Sequence, residues 1–205
     1  MSFFQFIKKI LSIKIDIFMP KENKVLIYDA MTKITGYSGI FFKNNEIAIF
    51  YNRFERINLK NLLKTFFEFN ILNFIREYKK NFFRAVKPKI VYTSIDNNPA
   101  FYKLKQIYPE ATYISDQNGM RDEKFYNFAN NEINKKNKSY HCDYYFVFGS
   151  NDKNKLKKIV KGRIIVAGNA KNNNRKFDVK KNKRKVVFIS SMLKINLEEI
   201  EKLKI

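Results

Sequence analysis

The chain has 205 residues, with 41 Lys plus Arg against 19 Asp plus Glu, a formal charge of +22, one Cys and no Trp. At 45% hydrophobic and 16% aromatic residues it carries enough apolar area for a packed core, which excludes wholesale disorder, and its length suits one domain or one domain plus a fragment of another. Cys142 alone makes neither a disulfide framework nor a cysteine-rich zinc site and points to a reducing compartment.

The basic charge has two explanations. A cationic surface neutralises phosphates and releases counterions, which would suit nucleic acid. Lys, Asn, Ile and Phe are also the residues with A/T-rich codons, while Ala, Gly and Pro are sparse, so genome composition accounts for much of the excess equally well.

In chain order, residues 1–20 form an N-terminal amphipathic segment. Phe3, Phe4, Phe6, Ile7, Ile10 and Leu11 share one helical side, opposite Gln5, Lys8, Lys9 and Ser12. That pattern fits either a helix lying on anionic lipid or one packed against protein. Lys8, Lys9, Lys14 and Asp16 exclude a membrane span, and no small-residue cleavage site precedes Pro20. Ile13, Ile15 and Ile17 alternate with Lys14 and Asp16, which equally suits an edge strand.

Residues 21–170 alternate strand-like and helix-like runs. Lys24 to Tyr28, Glu46 to Tyr51, Lys89 to Ile95, Ala111 to Ser115, Cys142 to Phe148 and Arg163 to Ala167 are short, β-branched or aromatic and bounded by polar loops, so they read as strands. Between the second and third, Leu59, Leu62, Leu63, Phe66, Phe67, Ile71, Phe74, Ile75 and Tyr78 keep the i, i+3, i+4 spacing of one long helix or two consecutive ones, ending before Pro88. Asn98 before Pro99 predicts a helix start, with Phe101, Leu104, Ile107 and Tyr108 on its buried face. Asn151 or Asp152 is placed to cap a helix through Leu156, Ile159 and Val160. Such alternation predicts a Rossmann-like, mostly parallel α/β sheet with helices on both faces. Residues 171–184 read as a basic linker. Residues 185–205 offer one strand and one helix, too little to bury a core, and read as the truncated start of a second domain.

Ligands of open parallel sheets sit beyond the carboxyl ends of the strands, so the polar residues there are the candidates. After the first strand come Asp29 and a loop with Gly36 and Gly39, whose spacing matches neither a dinucleotide fingerprint nor a phosphate-binding loop. Asp96, Asn97 and Asn98 follow the third strand, and Asp116, Gln117, Asn118, Gly119 and Arg121 the fourth. Neutral amides donate and accept hydrogen bonds, as sugar hydroxyls require, and Arg121 offers a fork for a phosphate or carboxylate. Asp96 is the first candidate for a general base and Asp116 the second. Each has an ordinary explanation beside the chemical one: Asn118–Gly119 is a turn dipeptide, Asn98 a cap, and Asp96 a loop stabiliser. One His and one Cys do not make a metal site, so no metal or other cofactor is expected.

Taken together, Asp96 to Leu104, Gln117 to Arg121, Asp143 to Gly149 and Gly168 to Asn173 resemble, in that order, the bacterial surface carbohydrate biosynthesis proteins, glycosyltransferase-like proteins of cell-surface polysaccharide assembly. The resemblance spans roughly Lys24 to Asn173. It implies a GT-B-like architecture of two Rossmann-like domains facing across a cleft, with no metal requirement. This chain would correspond to the acceptor-side half, whose partner is a glycan, and a nucleotide-sugar donor would bind only where a second domain is supplied. It implies a cytoplasmic protein, peripheral to the inner face of the membrane. In that role Asp96 would be the base, with Asn97, Asn98, Gln117, Asn118, Gly119, Arg121, Gly36 and Gly39 around the substrate. The competing readings are a non-catalytic glycan- or partner-binding module and, weakest, a nucleic-acid-binding protein.

Overall fold

The computed structural model describes residues 12–29, 42, 46–68, 73–136 and 140–169, with the side chains of 132–136 excepted. The N-terminal helical pattern up to Leu11, the loop with Gly36 and Gly39, the linker and the second-domain start lie outside the described residues.

Six strands form one sheet: β2 (Val25–Tyr28), β3 (Ile47–Phe50), β5 (Ile90–Thr93), β6 (Thr112–Asp116), β7 (Tyr140–Val147) and β8 (Val160–Val166), in the spatial order β3-β2-β5-β6-β7-β8. Every pairing is parallel. The architecture is α/β and Rossmann-like, as the alternation of runs predicts. All four residues of β2 are buried, the pattern of a strand covered on both faces. The sequence moves from β2 outward to β3, then crosses to β5 on the other side of β2. This reversal makes the carboxyl ends of β2 and β5 the topological switch point, where an open sheet leaves a crevice.

Two short strands escape the main sheet. β1 (Lys14–Asp16) and β4 (Arg56–Asn58) form a separate parallel ribbon, with Lys14 opposite Arg56 and Asp16 opposite Asn58. The alternating isoleucines therefore do mark a strand, yet Ile15 and Ile17 remain 63% and 59% exposed. Three residues of strand hold too few apolar neighbours to bury them.

The long amphipathic stretch resolves into two helices, α1 (Leu59–Phe67) and α2 (Phe74–Val86). Asn58 caps α1 by accepting from the Asn61 N–H, and the Asn58 N–H donates to the Tyr78 hydroxyl of α2. Tyr78, Phe82, Phe83 and Val86 turn α2 into the core. Helix α1 behaves differently. Its buried residues are Asn61 and Thr65, held by the Asn61 amide donating to the Tyr78 carbonyl, the Thr65 hydroxyl donating to the Asn61 carbonyl, and the Asn81 amide donating to Thr65 Oγ1 and Glu68. Leu63, Phe66 and Phe67 face outward, Phe67 at 83% exposure. Leu62 packs against the core, and a polar seam rather than the rest of the apolar stripe joins α1 to α2.

Pro99 does not start an α-helix. Asn98 Oδ1 accepts from the Ala100 N–H and its carbonyl from the Phe101 N–H, and the chain tightens into a 3-10 helix over Phe101–Gln106. Phe101 and Leu104, three apart, eclipse on one side of such a helix, and both are fully buried. Two further helices complete the crossovers, α3 (Glu123–Lys136), which the sequence reading missed, and α4 (Ser150–Leu156). No side chain caps α4. Gly149 holds that position, and Asp152 instead accepts from the Tyr126 hydroxyl of α3.

The core is aromatic. Tyr28 stacks on Phe50 at 5.5 Å, Phe82 meets Phe50 edge-on at 5.0 Å, and Tyr102 stacks on Tyr140 at 4.8 Å. Such pairs contribute about 1 kcal/mol beyond the area they bury. At the far edge, the register of β7 and β8 slips between His141 and Tyr144. Gly162 sits at that irregularity with φ +148°, and a Cβ there would lie 1.6 Å from the Cys142 carbonyl oxygen. Only glycine fits. Cys142 itself is buried, its thiol donating to the Tyr144 carbonyl, and burial pushes that thiol up to about 12.

Candidate functional site

Two polar clusters occupy the strand ends. The first joins β5 to β6. Asp96 is fully buried in the turn after β5, and the guanidinium of Arg121 grips it as a fork: Nε donates to Oδ2 at 2.8 Å and Nη2 to Oδ1. The Tyr145 hydroxyl donates to Oδ2 at 2.8 Å and the Asn118 N–H to Oδ1 at 3.3 Å. Tyr102 donates to the Asp96 carbonyl at 2.7 Å. Burial raises both tyrosines well above their ordinary range, with the Asp96 charge adding to the effect, so they stay neutral donors. For Arg121, burial works against the charged form, but the hydrogen bonds and charge of Asp96 outweigh it and its pKa rises. Asn118 Oδ1 accepts a further bond from Arg121 Nη2, and the Phe125 ring lies 5.3 Å beneath the guanidinium.

Asp96, assigned above as the base, has both oxygens engaged and none of its surface exposed, which favours a structural part for it. Arg121 is likewise spent on Asp96 and Asn118, with 11% of its side chain exposed. Gln117 is no ligand-facing amide: its Oε1 accepts from the Phe148 N–H and its Nε2 donates to the Gly119 carbonyl, tying β6 to β7. Asp116 is buried and accepts from Tyr92 at 3.3 Å. Asn97, Asn118 and Gly119 do reach the surface.

The second cluster lies at the switch point. Asp29 follows β2 with φ 61°, a left-handed backbone that is costly for a residue bearing a Cβ and most tolerated by Asn and Asp. Its carboxylate is buried, accepting from the Asn98 amide at 2.7 Å and pairing with Arg53 Nε at 3.3 Å. Beside it the Tyr28 hydroxyl donates to Asn52 Oδ1 at 2.5 Å and accepts from Lys79 Nζ of α2 at 2.9 Å. Burial pulls the Lys79 ammonium down to about 8; Asp29 offsets part of this and Lys103 adds to it. Burial, then the Asp29 charge, raises Tyr28 far above the phenol range.

Of these residues, the strand-end argument singled out Asn98 and noted Asp29. It missed Arg53, Asn52 and Lys79. The pair Lys79–Lys80 reads like any solvated stretch of helix, and only the packing of α2 on β2 distinguishes one lysine from the other.

A sizeable cavity lies elsewhere. About 640 Å³ lies between the β1/β4 ribbon and edge strand β3, lined mainly by Ile15, Ile17, Phe18, Ile47, Ile49 and Phe82. Lys21, Asn23 and Asn58 also line it, while its charged pair, Asp16 and Arg56, is matched internally at 3.5 Å. The strand-end clusters, which concentrate charge and hydrogen-bonding capacity, are the better candidates for the functional site.

Residues 114–202 match the model of a family described as putative O-antigen biosynthesis protein. The matched stretch begins inside β6 and takes in Gln117, Asn118, Gly119, Arg121 and Tyr145. It supports a role in surface polysaccharide biosynthesis. Neither the curated proteins nor the solved structures contain a match to the chain.

Proposed function

We propose that the chain is the acceptor-side half of a GT-B-like glycosyltransferase of bacterial surface polysaccharide assembly, which holds a glycan acceptor while a second domain supplies the nucleotide-sugar donor. The observation that carries this reading is the match to an O-antigen family over residues 114–202, which include the loop after β6 that bonds to the turn after β5 at the sheet's carboxyl edge. Asn97, Asn98, Asn118 and Gly119 supply surface hydrogen bonds for sugar hydroxyls. Asp96, Arg121 and Gln117 hold the two loops that carry them, and the reacting base comes from outside these three residues. Deleting the gene and examining lipopolysaccharide by electrophoresis tests the role. A shortened or lost polysaccharide ladder, restored by the intact gene, is expected; an unchanged ladder would overturn it.

The saturation of Asp96 favours one further reading, a binding module that positions a glycan for a separate catalytic chain. Sugar transfer by the purified chain, given nucleotide-sugar and acceptor, would exclude it. No helix among the described residues is long and apolar enough to cross a membrane. In either reading the outward apolar side of α1, flanked by Lys60 and Lys64, rests on anionic lipid at the inner face of the membrane.

A further inference from the structure

We infer that the switch-point pair of Arg53 and Lys79 receives an anionic group, a phosphate or a carboxylate, carried by the sugar ligand. The inference rests on the proposed function only in taking the anion to be borne by a sugar.

The argument is one of charge balance in a confined place. Two cations, Arg53 and Lys79, share one carboxylate, Asp29, whose two oxygens are already assigned: Oδ2 to Asn98 and Oδ1 to Arg53. Among the described residues Lys79 has no carboxylate in contact. Its ammonium donates to the neutral hydroxyl of Tyr28 and lies 5.4 Å from that ring's centre. A half-buried ammonium without a counter-ion is a costly arrangement, since burial removes water that only a nearby negative charge replaces. The groups acting on it are Tyr28 of β2, Asp29 just beyond that strand and, through charge alone, Lys103 of the 3-10 helix, which is like-charged and adds to the cost. A purely structural lysine at this place would be relieved by any apolar residue of similar length.

The position is also where a ligand is expected. The cluster sits at the carboxyl ends of β2 and β3, beside the reversal of strand order between β2 and β5. Arg53 keeps much of its guanidinium exposed, with 45% of its side chain accessible, so its remaining N–H groups are free to grip an oxyanion. Asn98 and Asn52 flank the cluster with amides suited to the hydroxyls of the same sugar. Anion binding would neutralise Lys79 electrostatically and hold it protonated, so affinity falls as pH rises from 7 to 9.

Calorimetric titration of the full chain with glucose, glucose 1-phosphate and glucuronate at matched ionic strength tests the inference. At least one anionic sugar should bind tenfold or more tighter than glucose, and which of the two does so identifies phosphate or carboxylate as the group. Lys79→Met and the exposed Arg53→Gln should each lose that advantage tenfold, while Lys157→Met, at an exposed lysine beyond α4, should keep it. The inference is overturned if neither anion outbinds glucose, if both site variants bind as the parent does, or if Lys157→Met loses affinity equally, which would mark diffuse attraction to a basic protein. A lost polysaccharide ladder together with charge-blind sugar binding would sink this inference and spare the proposed role; the converse pair of results would do the opposite.

Discussion

Replacing Asp96 by Asn separates architecture from chemistry at the β5–β6 rim. The substitution keeps the shape of the side chain and removes its charge. In the parent, the carboxylate accepts from Arg121 twice, from Tyr145 and from the Asn118 N–H, and none of its surface is exposed. The amide has one acceptor oxygen where the site presents donors on both sides, so its NH2 must face either Arg121 or the Tyr145 hydroxyl, donor against donor. Removing one partner of a buried ion pair costs about 3–5 kcal/mol. Arg121 retains Asn118 Oδ1 and the Phe125 ring, and part of its side chain reaches water, which places the expected loss near the lower end, about 3 kcal/mol. Urea unfolding should show it as a midpoint about 1–2 M lower for a slope near 2 kcal/mol/M. The double variant Asp96→Asn with Arg121→Met should recover part of the loss, because it also removes the stranded cation. A single variant within about 1 kcal/mol of the parent that nevertheless lost sugar transfer would refute the reasoning and return Asp96 to the role of base.

Lys79→Met should stabilise the fold at neutral pH even as it removes ligand affinity. The folded chain releases the Lys79 proton at about 8, the unfolded chain at its ordinary 10.5, so the parent is penalised below pH 8 and gains stability as pH rises from 8 to 10.5. The relief is at most about 3 kcal/mol, less about 1 for the hydrogen bond lost to Tyr28, and denaturation across that pH range should show the parent's rise and its absence in the variant. Phe66→Ser with Phe67→Ser, at positions 57% and 83% exposed, should leave stability within about 0.5 kcal/mol while abolishing co-sedimentation with phosphatidylglycerol vesicles. Unchanged sedimentation would remove α1 from the membrane contact. Gly162→Ala should cost at least about 2 kcal/mol, since φ +148° and the Cys142 carbonyl both oppose a Cβ, and thermal unfolding reads it directly.

The sequence by itself determined the sheet. Five of the six main strands fall within two residues of the runs rich in β-branched and aromatic residues, and β8 begins three residues earlier, because backbone pattern and burial of a parallel sheet are local properties written every second residue or as continuous apolar runs. It also placed Asp96, Asn98, Asn118 and Arg121 at strand ends. Which of them are drawn into internal bonds was decided by tertiary structure alone. Asp96 and Arg121 are consumed by one another, and Gln117 by the backbone just beyond β6 and β7, through contacts that reach 25 and 31 residues in sequence. The same holds for α1, whose leucine and phenylalanine spacing marks a helix but not what it packs against. The seam that formed was polar because Asn58, Asn61, Thr65 and Asn81 found partners across α2, a pairing no periodicity encodes. Lys79 is the plainest case: its charge is in the sequence, but its desolvation arises only when α2 packs on β2 and brings the ammonium against the Tyr28 hydroxyl.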